Sequence, residues 1–201
     1  MKLIALVLMA SISVSCSSFK AERVDNKEAD KKGLNITDNW MGEDTRASVK
    51  KLIKLMENHK GYQKMMAQFR GTPKVFIADV QNNTSEAYFP IGDFNDEFLN
   101  EVSSTGEFVL VDNNARKKIL EEITYQNDGM VSDDTAKQIG RQIGADFMIF
   151  GNIYMKPEKR DGKTIKEYSV NLRMTNIETA TEVFRVRTRV NKFSDQDSYS
   201  W

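Results

Sequence analysis

Beyond Cys16 the chain has no cysteine, and His59 is its single histidine in 201 residues. With no second thiol an internal disulfide is excluded, so an exported form of this protein must stand on its hydrophobic core. One histidine excludes a zinc centre of the usual multi-histidine kind. It also leaves a serine hydrolase with no base but His59, which lies between Asn58 and Lys60 on a polar helix end, where solvation or helix capping is the simpler role. No G-x-S-x-G motif is present. Gly140, Gly144 and Gly151 do not fall between a strand and a helix start, so they form no phosphate cradle. The acidic groups Asp93, Asn95, Asp96, Glu97 and Asp128, Asp133, Asp134 lack the spacing of a calcium loop. No cofactor or metal is expected. Charge of one sign is missing too, with 29 basic and 29 acidic side chains. Such a balance gives no electrostatic reason to bind nucleic acid or an anionic surface.

Apolar length is present only at the start. Met1-Lys2, the run Leu3 to Met9 and the small residues Ala10, Ser11, Ser13 and Ser15 lead to Cys16. A positive start, a short apolar core and a small-residue exit read as a secretory signal over residues 1–15. The run is shorter than the roughly 20 residues of a permanent bilayer span. A lone cysteine at the exit suits lipid attachment, with palmitate among its acyl chains, although Ser13 stands where bacterial lipoprotein signals usually carry Leu. Multiple acyl chains anchor stably where one does not. Ser17 follows the cysteine in place of an inner-membrane retention Asp, so the expected location is the outer membrane, facing the periplasm.

Residues 16–36 then read as a lipidated N-terminus and flexible tether, polar and nearly free of large apolar side chains. Counted from Ser17 to Asp44, 28 residues would stretch to roughly 95 Å and average about 30 Å as a coil. Residues 37–193 form one domain, large enough for a proper core, and 194–201 a tail.

Within the domain, Thr45 is placed to cap a helix carrying Val49, Leu52, Ile53 and Met56 on one face. A break at Lys60-Gly61 precedes a second helix with Tyr62, Met65, Met66 and Phe69. Val75 to Ala78 with Val80 read as a central strand. Asp93 or Asn95 caps a helix whose Phe94, Phe98, Leu99 and Val102 face inward, and Gly106 stops it. Phe108 to Val111 is a second strand, parallel to the first. Asn113 or Asn114 opens a helix with Ile119, Leu120 and Ile123, and Asp133 one with Ala136, Ile139 and Ile143. Phe147 to Tyr154, Tyr168 to Met174 and Phe184 to Val190 complete an antiparallel meander, with a turn at Asp161-Gly162. The fold class is therefore α/β (α+β), a mixed sheet of about five strands with packed helices.

Two surfaces compete as contact sites. Arg185, Arg187 and Arg189, with Arg173 alongside, project from one strand face and suit an acidic partner, but a solvated face or charge-guarded edge is the simpler reading. The loop Tyr125–Ser132, with Tyr125, Gln126, Asn127, Asp128 and Met130, joins two helices and is the better candidate.

Several motifs occur in order: Thr37-Asp38-Asn39-Trp40, Asp44-Thr45-Arg46, Arg70 to Val75, Asn82-Asn83-Thr84, Thr135 to Tyr154 (TAKQIGRQIGADFMIFGNIY) and Leu172 to Thr179. Over about residues 35–190 the chain resembles the LpoB family of outer-membrane lipoproteins that activate a bifunctional penicillin-binding protein. The resemblance implies a fold like the N-terminal domain of TolB and no enzymatic activity. It implies a tethered domain that binds a peptidoglycan synthase and stimulates glycan polymerisation and peptide crosslinking, hence a part in cell-wall synthesis and cell shape. The family's contact surface lies on the globular domain, which carries over to the Tyr125–Ser132 loop. Its tethers are commonly longer and rich in Pro and Gln, whereas this one is short and charged. The alternative is a structural or secretion-associated envelope lipoprotein of the TolB and curli-secretion fold group.

Overall fold

The computed structural model describes residues 21–112 and 144–195. Its first element is a helix, α1 (Asn26–Leu34), within the stretch expected to be a tether. Asp25 caps it by accepting from the Glu28 amide at 2.8 Å, and Lys32 pairs with Glu28 one turn away. No residue of α1 is buried, so local capping and charge do most to hold it. Its C-terminal end is seated on the domain: a Cβ at Gly33 would fall 2.5 Å from the Met41 sulfur.

Helix α2 (Gly42–Glu57) begins three residues before the expected cap. Asp44 does the capping, accepting from the Met41 amide at 2.9 Å. Thr45 is buried instead, and its hydroxyl accepts from the Trp40 indole at 2.9 Å. Val49, Leu52, Ile53 and Met56 are all buried, as the spacing requires. The break before α3 (Lys60–Gln68) falls at Asn58-His59, because the His59 Nδ1 caps the new helix by accepting from the Gly61 amide at 3.1 Å. Gly61 is there for closeness: a Cβ would lie 2.0 Å from the Val183 carbonyl oxygen.

Strand β1 (Lys74–Ile77) leads through a short break to β2 (Gln81–Asn83). Helix α4 (Ile91–Thr105) starts after Pro90, not at Asp93 or Asn95. Asn95 is drawn off to the sheet, where its side chain accepts from the Val80 amide at 2.8 Å. Phe94, Phe98 and Val102 are buried, whereas Leu99 points outward, against expectation. Gly106 ends the helix at φ 67°, and β3 (Val109–Leu110) follows. The helices expected around Ile119 and Ile139 lie outside the described residues.

Three strands of equal length form the rest: β4 (Phe147–Arg160), β5 (Lys163–Asn176) and β6 (Glu182–Asp195). Asp161 and Gly162 make the β4–β5 turn with φ of 49° and 77°, the positive values that a tight hairpin needs. Strand β4 runs six residues beyond the expected Tyr154, through Pro157. Since β2 pairs with β4 only as far as Tyr154, Pro157 sits where one side of β4 has no described neighbour, and its missing N–H costs nothing.

The sheet has six strands in the order β3-β1-β4-β5-β6, with β2 also on β4. Strands β1 and β2 together make one interrupted parallel neighbour of β4, which is why a three-residue strand escaped the count of about five. The β1–β3 pair is parallel, as expected. Helices α2 and α3 lie against β6, and α2 against α4. Between them sits a core centred on Phe94, Phe98, Tyr168, Ile149 and Phe184, with the Trp40 ring tilted against Phe89 and edge-to-face with Tyr168, 5.2 Å between centres in each case.

Candidate functional site: an arginine-bearing sheet face and a charged clasp

Strand pleating sends alternate residues to opposite faces. Tyr168, Val170, Leu172 and Met174 of β5 and Phe184, Val186 and Thr188 of β6 enter the core. The residues between them form the outer face in three cross-strand rows. Phe150, Arg173 and Arg185 make the first, Asn152, Asn171 and Arg187 the second, Tyr154, Ser169 and Arg189 the third. A groove of about 380 Å³ runs along this face.

Its polar groups are held in order. The Arg173 guanidinium lies 4.0 Å from the centre of the Phe150 ring. Asn171 accepts from the Arg187 Nε at 2.5 Å and donates to Asn152 at 3.1 Å. Arg185 grips Glu182 through two nitrogens, at 2.7 and 3.2 Å, and this bond holds the Glu182 carboxyl below its ordinary range. Arg189 meets Glu167 at 3.6 Å. All four arginines are exposed, and Tyr154 stands half out of the surface beside them. Arginine and tyrosine on a fixed platform are the groups that anchor protein interfaces. A nucleophile activated by a neighbouring base is not part of the arrangement.

Where the chain enters the domain, a second polar cluster has a different character. Lys166 donates to Asn39 at 2.6 Å and pairs with Asp38 at 2.8 Å and Glu86 at 3.1 Å. Tyr168 donates to the same Glu86 oxygen at 2.5 Å, and Ser194 to Asp38 at 2.7 Å. Next to it Lys192, only 6% exposed, pairs with Asp44 at 2.6 Å. Burial pushes the Tyr168 hydroxyl up, and the bond to Glu86 raises it further. Burial opposes the charge on Asp38, yet the bonds from Lys166 and Ser194 prevail and keep its carboxyl below the usual range. Periodicity gave no sign of this clasp. The only trace was Asp38-Asn39-Trp40, seen as a motif without a role.

Of the expected sites, the loop residues Tyr125, Gln126, Asn127, Asp128 and Met130 and the lipidation site Cys16 lie outside the described residues. His59 caps a helix. Gly151 lies inside β4, where a Cβ would meet the Asn171 carbonyl oxygen at 2.2 Å, so its smallness serves packing. Among the described residues no group of three or more His, Cys, Asp or Glu is placed to hold a metal ion, and no helix is long and apolar enough to cross a membrane.

Among solved structures, the LpoB C-terminal domain from Salmonella enterica is similar at 13% identity and a TM-score of 0.47, covering 73% of this chain and 98% of that one. The Escherichia coli LpoB C-terminal domain is similar at 11%, with the same TM-score and coverage. A PelC dodecamer from Paraburkholderia phytofirmans is similar at 11% and 0.35, over 62% of this chain and 76% of that one. No curated protein matches the sequence significantly. Residues 44–190, nearly three quarters of the sequence, match the family described as peptidoglycan-synthase activator LpoB. The chain belongs to the LpoB family, whose members regulate a synthase and are not themselves enzymes.

Proposed function

We infer that this protein is a periplasm-facing lipoprotein, anchored through Cys16 in the outer membrane, that binds and stimulates a bifunctional penicillin-binding protein. The family match over residues 44–190 carries this reading. The docking surface is the arginine-bearing sheet face, with the Tyr125–Ser132 loop as the competing contact. The face suits an acidic partner surface because its guanidiniums are exposed and their present partners, Glu182 and Glu167, are exchangeable at little cost.

The test uses a purified bifunctional synthase and its rates of glycan polymerisation and crosslinking. Added protein should raise both. Replacing Arg185, Arg187 and Arg189 with Ala together should remove binding, whereas replacing Asn127, Asp128 and Met130 together should leave it. The reverse result moves the contact to the loop. Unchanged synthase rates with the parent chain would refute the functional reading itself.

A further inference from the structure

Four large apolar side chains stand exposed at one end of the molecule: Ile36 (84%), Phe193 (62%), Leu34 (56%) and Ile165 (44%). They are contiguous. Leu34, Ile36 and Phe193 line one groove of about 370 Å³, and Phe193 also lines a second, of about 380 Å³, with Ile165 and Lys163. Ile165 and Phe193 are directly opposite in the β5–β6 register. The rim is of mixed charge: Lys159, Arg160 and Lys163 stand beside Glu158 and Asp161 in the second groove, and Asp38 and Asp195 line the first.

This is also the end from which the chain departs towards Cys16. Nine residue-to-residue steps lead from Cys16 to Asp25 and span at most about 32 Å. Helix α1 adds about 14 Å and is seated on the domain at Gly33. Leu34 is therefore never more than about 46 Å from the anchor.

We propose that this apolar end is a second membrane contact, resting on the phospholipid surface that holds the lipid anchor. The proposal rests on the Cys16 anchor reading. Alone, four partly exposed side chains give marginal binding, but a short link to the same bilayer raises their local concentration enough to engage. Docked this way, the strands stand away from the bilayer. Phe193 lies on the same face of β6 as Arg189, Arg187 and Arg185, so the arginine rows begin about 14 Å further out and end about 27 Å out. The contact orients the docking face away from its own membrane.

Because acylation occupies Cys16, an introduced cysteine is the chain's sole free thiol. Asn35→Cys and, as reference, Arg187→Cys carry an environment-sensitive fluorophore in the lipidated chain on phosphatidylethanolamine/phosphatidylglycerol vesicles. The label at 35 should shift blue and be quenched by brominated lipid, while the label at 187 stays water-exposed. Adding Ile36→Ser and Phe193→Ser should lower the quenching about tenfold with an unchanged melting temperature. Equal exposure of both labels overturns the proposal. A blue shift that grows with protein density and ignores brominated lipid also overturns it and assigns the patch to a second copy. Mass spectrometry of Cys16 tests the anchor separately: with no acyl chain found, the anchor reading fails. The Cys16→Ala chain at high vesicle concentration then tests the patch alone, and no quenching there refutes it.

Discussion

The two ends of the β5–β6 ribbon handle charge in opposite ways. At the chain-entry end, Lys166 and Lys192 are sunk among Asp38, Glu86 and Asp44, every distance short and every partner on a different segment. At the far end, Arg185 lies in the open, paired with Glu182 three residues away, and its exposed face reaches back along the ribbon to the Arg189–Glu167 pair. Buried pairs are costly to break and tolerate one geometry, whereas exposed pairs are worth little and re-form with any suitable acid. One end therefore specifies structure, and the other is free for recognition.

The strongest challenge to that contrast is Lys166→Ala. It leaves Asp38 and Glu86 facing each other without a cation, and should cost about 3 kcal/mol in urea unfolding. A loss under about 0.5 kcal/mol would show that the clasp is no more than a surface pair.

Acid sharpens the same point. Asp38 titrates below its unfolded value, so its contribution is complete above about pH 4 and fades as pH falls further. Lys166 titrates above its own unfolded value, because the pull of Asp38 and Glu86 outweighs burial. Its share is complete below about pH 10 and is lost only at higher pH. Melting temperature should thus be level between these limits, and Asp38→Asn should flatten the acid limb and weaken the alkaline one, because Asp38 is one of the two carboxylates that raise Lys166.

Thr45→Val keeps the shape but removes the acceptor of the buried Trp40 indole, with an expected cost of about 1–2 kcal/mol in the same unfolding assay. The smallest effect belongs to the other end. Arg185, Arg187 and Arg189 changed together to Ala should alter stability by under about 0.5 kcal/mol each while removing synthase binding. Destabilisation as large as that of Lys166→Ala would make the arginine face structural and end its candidacy for docking.

What was legible beforehand had a local period. The apolar face of α2 and the alternation of β5 and β6 are buried as their spacing demands. Helix starts were misplaced because the capping groups had other uses: Thr45 serves Trp40, and Asn95 serves Val80, fifteen residues back. The extension of β4 through Lys156-Pro157-Glu158 was hidden, since charges and a proline read as a strand end unless a partner strand is known to continue. The clasp was out of reach altogether. Lys166 lies 127 residues from Asn39 and 80 from Glu86, and no short-range pattern announces a pairing at that distance. The arginine row was visible, but the Phe150, Asn152 and Asn171 groups that set its geometry come from neighbouring strands.

Asp38 is where the chain crosses from linker to domain, and it is tied at once to β5 through Lys166 and to β6 through Ser194. A pull arriving along the linker therefore does not reach α2 first. It is divided at Asp38 between two long strands that are themselves bonded along their whole length. Bonds placed in parallel share a force and must fail together, so they resist far more than the same bonds met one after another. For a domain held by one end while a partner is bound at the other, this turns a cluster of charges into a strain relief, as in the clamp where a cable enters its housing.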